Sequence, residues 1–353
     1  LRQGSSGKPA IRFVPNGTIA CRDLRLQTIK TRLEVEKING ALKVQNEHWT
    51  VDLAGNSGDS DFRVEGSSDD FLNYLLGKRG NYRVSAEVFS TNLFLDPLLE
   101  GLKQQGEQGE NPPRYPEELS LRLGVHVKNL TRKDFRAEQV EGSLFYTYPV
   151  FILDSLYMQT MSGTLSGKMG VFDLDQPMHH VRVNALIREL EIDQLFRSFS
   201  DFGQDFLTHE NIRGSLTGTS EFSADLDNNF NLQTQHIVSE NSIVIESGAL
   251  IDFEPLVEVS DFLKIEKMDH VNFSTLENDI LIENNEIIIP QMDIRSSAMN
   301  LAASGTHNFD KSYTYNLALK LSELLFRKAQ ANKNREFDVA LDKDDQRTLF
   351  LHI

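Results

Sequence analysis

Residues 277–309 read ENDILIENNEIIIPQMDIRSSAMNLAASGTHNF, a run of apolar β-formers that predicts a fold made of paired strands. Ile and Leu at near-alternate positions suit a pleated surface, and Asn284-Asn285 tolerates the positive φ of a tight hairpin turn. A second reversal is expected around Ser296-Ser297. The stretch carries much strand and no residue pattern that performs chemistry.

The same texture extends outward. Runs such as RLEVEKI, ALKVQ, WTVDLAG, DFRVEG and YRVSAEVFS precede residue 100, and LSLRLGVHVKNL, RAEQVEGSLFYTY, FILDSLYMQT, HVRVNALIREL and TSEFSADL follow it. Most alternate apolar with polar residues, which predicts a sheet with one dry and one wet face. By this rule the chain holds on the order of eighteen to twenty strands. Uninterrupted runs such as Ile287-Ile288-Ile289 fit strands covered on both faces.

Two devices recur. Gly-x-Leu stands in strand-rich context at Gly40-Ala41-Leu42, Gly142-Ser143-Leu144, Gly163-Thr164-Leu165 and Gly214-Ser215-Leu216, where glycine predicts a bulge, bend or close backbone approach. The second is a strand running into a short amphipathic helix through a capping residue, at Asp96, Asp193, Asp252 with Pro255, and Ser322. A related helix is expected after a cap at Ser68 or Asp69, stopping at Gly77. Arg83–Val88 aligns with Arg182–Ile187 ahead of two of these helices, which suggests a degenerate internal repeat.

The polar stretch GLKQQGEQGENPPRYPEE, residues 101–118, is expected to be a linker or loop. The organisation is therefore residues 1–100 as an N-terminal β-rich segment with short helices, 101–118 as the linker, and 119–353 as a β-rich C-terminal region.

Across 353 residues the net charge is −16, with 52 acids against 36 bases, and no segment gathers Lys and Arg into a phosphate-binding patch. Nucleic acid is not expected as a partner. Cys21 is the only cysteine, so neither an intrachain disulfide nor a thiolate metal cage can form. No stretch reaches the roughly 18 to 20 apolar residues of a membrane span. The start, LRQGSSGKPA, is neither a signal peptide nor a methionine start, and the chain is expected to be a piece of a longer protein.

Catalytic motifs are missing. Gly163-Thr164-Leu165-Ser166-Gly167 has Leu where a nucleophile elbow needs Ser, and neither GxxxxGK[ST] nor GxGxxG occurs. Asp225-Leu226-Asp227-Asn228-Asn229 starts like a calcium loop, but Phe230 takes the glycine position and His236 the place of the bidentate Glu. Asp342-Lys343-Asp344 fails in the same way, with Arg347 at the glycine position. His179-His180, the only adjacent pair, would point to opposite faces of a strand, so these and the single histidines are expected at the surface or at strand ends. No catalytic, cofactor-binding or metal-binding residue is assigned, and lipid-binding residues are left unassigned.

From Glu246 onward the order of elements resembles the C-terminal region of the AsmA-like family of bacterial envelope proteins. The residues that carry this are Gly248-Ala249-Leu250-Ile251 before Phe253-Glu254-Pro255-Leu256, then Ser260-Asp261-Phe262-Leu263 and Val271-Asn272-Phe273-Ser274-Thr275-Leu276. Ile280-Leu281-Ile282-Glu283-Asn284-Asn285, Ile294-Arg295-Ser296-Ser297, Leu301-Ala302-Ala303-Ser304-Gly305 and the closing Thr348-Leu349-Phe350-Leu351-His352-Ile353 complete it. The resemblance implies a mainly β protein built as an extended curved antiparallel sheet or open β-groove with several short amphipathic helices. It implies a periplasmic location in a Gram-negative envelope, with an inner-membrane anchor that this chain lacks. The implied role is non-enzymatic: outer-membrane biogenesis, with phospholipid guided along an apolar sheet face and no cofactor. An envelope protein-interaction scaffold without lipid cargo is the other reading. Whether the apolar face is an open groove or a packed core stays open.

Overall fold

A computed structural model describes residues 16–27, 34–46, 48–69, 80–98, 115–203, 207–228, 230–263, 268–295, 300–309, 312–320, 340–341 and 347–352. The first strands are β1 (Asn16–Gln27), β2 (Glu34–Gln45), β3 (His48–Ser57), β4 (Ser60–Asp69), β5 (Tyr82–Phe94) and β6 (Leu119–Arg132). The middle ones are β7 (Phe135–Thr147), β8 (Val150–Thr160), β9 (Gly163–Phe172), β10 (Met178–Glu191), β11 (Ile212–Asp227) and β12 (Leu232–Ile251). The last are β13 (His270–Glu283), β14 (Glu286–Arg295), β15 (Asn300–Asn308), β16 (Tyr313–Lys320), β17 (Ala340–Leu341) and β18 (Arg347–His352).

All eighteen belong to one sheet. From β1 to β16 each strand pairs with the next in the chain, after which β16 pairs with β18 and β18 with β17. The sheet is mainly antiparallel, extended, curved and open, as the alternation and the resemblance lead one to expect. Its one parallel pair is β5 with β6. A parallel pair needs a crossover connection, and residues 95–118 supply it, so the sheet continues on both sides of the polar stretch.

Alternation builds these strands one by one. In β3 the burial of HWTVDLAGNS switches at every step from His48 to Gly55, as it must when successive side chains point to opposite faces. At the β13–β14 turn Asn284 and Asn285 hold φ of 52° and 60°, the left-handed values that the hairpin requires. The second reversal at Ser296-Ser297 lies outside the described residues.

Curvature has a local cause. Asp23, Lys37, Gln139, Ser155, Glu189 and Ser247 all have positive φ in mid-strand. Register shifts accompany them, between Cys21 and Leu24, Glu36 and Asn39, Glu138 and Glu141, Leu153 and Leu156, and Ile187 and Leu190. Each is a bulge that bends its strand and increases local twist. Two of the Gly-x-Leu glycines serve the same end: Gly40 and Gly214 have φ of +136° and +133°, a region from which side chains are excluded. A Cβ on Gly40 would also collide with the carbonyl oxygen of Asp52 on β3.

Strands β5, β10 and β12 run in the same direction, as their pairings require, and each enters a helix at the same rim of the sheet. A helical turn occupies residues 95–98, α1 spans Ile192–Ser198 and α2 spans Glu254–Leu263. β5 and β10 hold the two copies of the aligned segment. The expected caps need correction. The N-cap of α1 is Glu191, without a side-chain cap bond, and Asp193 lies inside the first turn, where its charge faces the positive helix end. Asp96 spends a carboxylate oxygen on the backbone amide of Lys133 at 2.8 Å. Ser68 and Asp69 belong to β4. Ser322 and residues 70–79 lie outside the described residues.

Candidate functional site

The candidate site is the dry face of the sheet. Residues directly opposite on paired strands project to the same face, so the registers trace rows across the fold. One row starts at Ile19, Leu42 and Val51 on β1 to β3, then crosses Gly66 and Ala86. It continues through Leu123, Leu144, Leu153, Met169 and Val183 on β6 to β10. Phe222, Ile282, Ile287 and Tyr313 carry it to β16, and only Ser239 and His307 interrupt its apolar character. At about 4.8 Å per strand, sixteen strands give a row of roughly 72 Å, apolar at most positions.

The parallel row beside it runs Gly17, Val44, Trp49, Ser68, Val84, Leu121, Tyr146, Phe151, Val171, Val181 and Ala224. Trp49, the only tryptophan, therefore stands on this face. Cys21 shares it, opposite Gly40.

Open groove and packed core both occur, in different places. Toward β1 the face is open: Ile19 is 56% and Leu26 53% exposed. Leu42, Val51, Leu123, Leu144, Leu153 and Met169 are half-buried, more accessible than a filled β-sandwich interior would leave them. Beside these the same face is packed: Val127, Ala137, Val140 and Met158 form a buried cluster on β6 to β8, Tyr146, Val171 and Val181 belong to another, and between β10 and β15 the helices fill the concavity. Ile192, Leu195 and Phe196 of α1 and Leu256 of α2 pack with Leu216, Ile245, Val271, Phe273 and Ile294 in one cluster. Glu254, Glu258 and Asp261 of α2 face solvent while Leu256 and Ser260 are buried, as an amphipathic helix laid on a sheet requires. The helices thus plug the C-terminal part of the groove. Sequence reasoning found their apolar faces but could not place them.

At the opposite rim Tyr115 reaches His179 on β10, with its hydroxyl 3.4 Å from Nε2, and Phe230 approaches the same ring. His179 is 1% exposed and bonded through Nδ1 to the carbonyl of Asp173 at 3.1 Å. It sits at a strand end as expected, but buried instead of at the surface, with the rings of Tyr115 and Phe230 packed against it. Its neighbour His180 points the other way, to Asp225 at 3.1 Å. Hydrogen bonds from His180 and then His236 hold the Asp225 carboxyl below the usual carboxylate range. Asp227 closes its own turn on Asn231. Among the described residues no group of three or more His, Cys, Asp or Glu is placed to hold a metal ion.

The wet face is acidic. Asp52, Glu65 and Glu87 stand in register across β3 to β5, and Glu221 faces Glu240 across β11 and β12. No family model, curated protein or solved structure matches this chain. Its function therefore has to be read from the two faces. No helix among the described residues is long and apolar enough to cross a membrane.

The polar face also carries a titrating bridge. His126 lies between Glu87, 3.0 Å from Nε2, and Glu141, which bonds Nδ1. Both ring nitrogens donate to carboxylates only in the imidazolium. Burial opposes that charge, but the hydrogen bonds and negative charges of Glu87 and Glu141 outweigh it and raise the pKa. A raised folded-state pKa adds stability that is fully present below the unfolded value of about 6.5 and is lost as pH rises through the folded value. The stability advantage of the wild type over His126→Gln is therefore expected to shrink as pH rises from 6 to 8.5. Thermal melts of both proteins across that range check this, and an advantage that grows with pH contradicts it.

Proposed function

We propose that this protein is a non-enzymatic lipid-handling protein whose apolar sheet face holds the acyl chains of phospholipid. The observation that supports it is the apolar row from Ile19 to Tyr313, whose side chains on β1 to β3 and β6 to β9 are exposed or half-buried. The physical requirement is plain. An acyl chain of about sixteen methylenes costs roughly 13 kcal/mol to expose to water at about 0.8 kcal/mol per CH₂, so a carrier must shield it along its length. A row of strand side chains shields it without any catalytic group. The exposed Ile19, Leu24 and Leu26 at the β1 edge give a chain an entry, and the α1–α2 plug ends the open section.

The order of elements from Glu246 onward, similar to that of AsmA-like envelope proteins, extends the proposal to outer-membrane biogenesis in a Gram-negative periplasm, with the whole protein anchored in the inner membrane. A second reading rests on β1. It is exposed along nearly its whole length and, among the described residues, pairs on one side only, so an extended segment of an envelope protein could add to that edge. Contact between Trp49 and a lipid acyl chain, read by fluorescence quenching, separates the two: lipid binding requires it and edge pairing does not.

A further inference from the structure

At the helix-bearing rim, four phenylalanines link two parts of the fold. Phe135, at the start of β7, packs against the buried cluster of Val127, Ala137, Val140 and Met158, and Phe196 of α1 packs with the cluster beneath the helices. Between them stand Phe199 and Phe202, at the end of α1 and in the turn Ser200–Gly203 that follows it. Their rings stack with centres 5.7 Å apart and planes within 7°, Phe199 lies 6.1 Å from Phe135, and Phe202 meets Phe196 edge-on at 5.2 Å. Phe135 and Phe196 are half-buried. Phe199 is 45% exposed and Phe202 58%, the highest value for a large apolar side chain among the described residues.

The backbone holds this exposure against its own preference. Ser200, Asp201 and Phe202 have φ of 52°, 52° and 55°, a left-handed run in which a bulky residue is a conformational outlier. Asp201 fixes the turn: its carboxylate accepts the backbone amide of His209 at 2.7 Å and lies 3.0 Å from that residue's Nδ1. Strain of this kind persists only where the surroundings enforce it, and it gathers at functional sites. Packing does not account for Phe202, since more than half of its surface meets no protein.

Size and charge select what covers the patch. The two rings offer roughly 200 Å² of apolar surface, far less than the about 800 Å² that each side of a stable protein interface buries. Shallow insertion into a bilayer draws on apolar area of this kind together with attraction to anionic lipid. Arg132 stands opposite Phe135 across the β6–β7 turn, and therefore on the same face. Lys133 and Arg136 of that hairpin and Arg197 of α1 are exposed too, against the exposed carboxylates of Asp134 and Glu210, in a chain with 52 acids and 36 bases. The opposite rim makes the contrast. Phe230 and Leu232 are 49% and 44% exposed there, but residues 173–179 and 225–231 hold four aspartates and no lysine or arginine.

We infer that the end of α1 and its turn form a membrane-docking surface, with Phe199 and Phe202 entering the acyl boundary of an anionic phospholipid bilayer and the basic residues beside them holding it to the head groups. The inference does not rest on the acyl-chain groove, whose row crosses β7 at Leu144, toward the far end of that strand from Phe135.

Flotation with phosphatidylglycerol and phosphatidylcholine vesicles tests it. Wild type should be retained by phosphatidylglycerol and several-fold less by phosphatidylcholine. F199S/F202S should lose about tenfold in retention on phosphatidylglycerol, R132Q/R197Q should fall to the phosphatidylcholine level, and Leu232→Ser, which removes a comparably exposed side chain from the opposite rim, should match wild type. Phe202→Trp in a Trp49→Phe background gives a readout that needs no ring removed: its emission should shift to the blue on phosphatidylglycerol vesicles. Wild type that floats while Trp49 stays unquenched by acyl-brominated lipid would leave the docking surface standing and remove the groove reading. Undiminished flotation of F199S/F202S, an unshifted Phe202→Trp emission on vesicles that retain the protein, or wild type retained by neither vesicle overturns the docking surface.

Discussion

Leu144→Asp is expected to reduce acyl-chain retention by roughly fiftyfold while the protein stays folded. Leu144 sits mid-row between Leu123 and Leu153 on the open part of the apolar face. A carboxylate there keeps its water and denies about three methylenes their contact, a loss of about 2.4 kcal/mol at about 0.8 kcal/mol each. Because Leu144 is half-buried, the charge retains access to solvent and the sheet signal in circular dichroism should be unchanged. Thr219→Asp supplies the control. Thr219 is exposed on the polar face opposite Leu186 and Ser242, so the same charge there should leave lipid retention at the wild-type level. Equal retention by both variants would remove the apolar row from the account.

The second large effect concerns the bend. Gly40→Val is expected to destabilise the protein by about 4 kcal/mol, because a β-branched residue at φ of +136° is strained and its Cβ meets main chain that cannot step aside. Gly40→Ala should be nearly as damaging, since the collision with Asp52 involves the Cβ itself. Gly142→Ala makes the comparison. It shares the Gly-x-Leu pattern, but its Cβ would meet nothing nearer than Leu153 at 3.5 Å, an ordinary contact. Chemical denaturation of the three variants checks this, and equal losses at positions 40 and 142 would contradict a role for Gly40 in bending β2.

Strands were legible in the sequence because their signal is local. HWTVDLAGNS and the Asn284-Asn285 hairpin each announce themselves within a dozen residues. The apolar row was not legible, because it depends on sixteen strands keeping one register, and a shift of one residue in any of them would move its side chains to the other face. The bulges at Lys37 and Gln139 escaped notice because neither residue type favours left-handed backbone, and Asp23, which tolerates it, stands within a strand and not at a turn. Asp96 and Asp193 have the chemistry of caps, but capping depends on where the helix starts, and that is settled by the strand before it. The alternation did announce one dry and one wet face, and the helices expected beside the strands proved to lie over part of the dry one.

The most direct test of the apolar face as a lipid surface uses Trp49, the chain's only tryptophan, which stands on that face between Val44 and Ser68. Its fluorescence should be followed as phospholipids brominated along the acyl chain are added, with head-group-labelled and unlabelled lipids in parallel. Strong quenching by acyl-chain bromine and little by the head-group label is the predicted result. Lipid that binds while leaving Trp49 unquenched by acyl-chain bromine would contradict it.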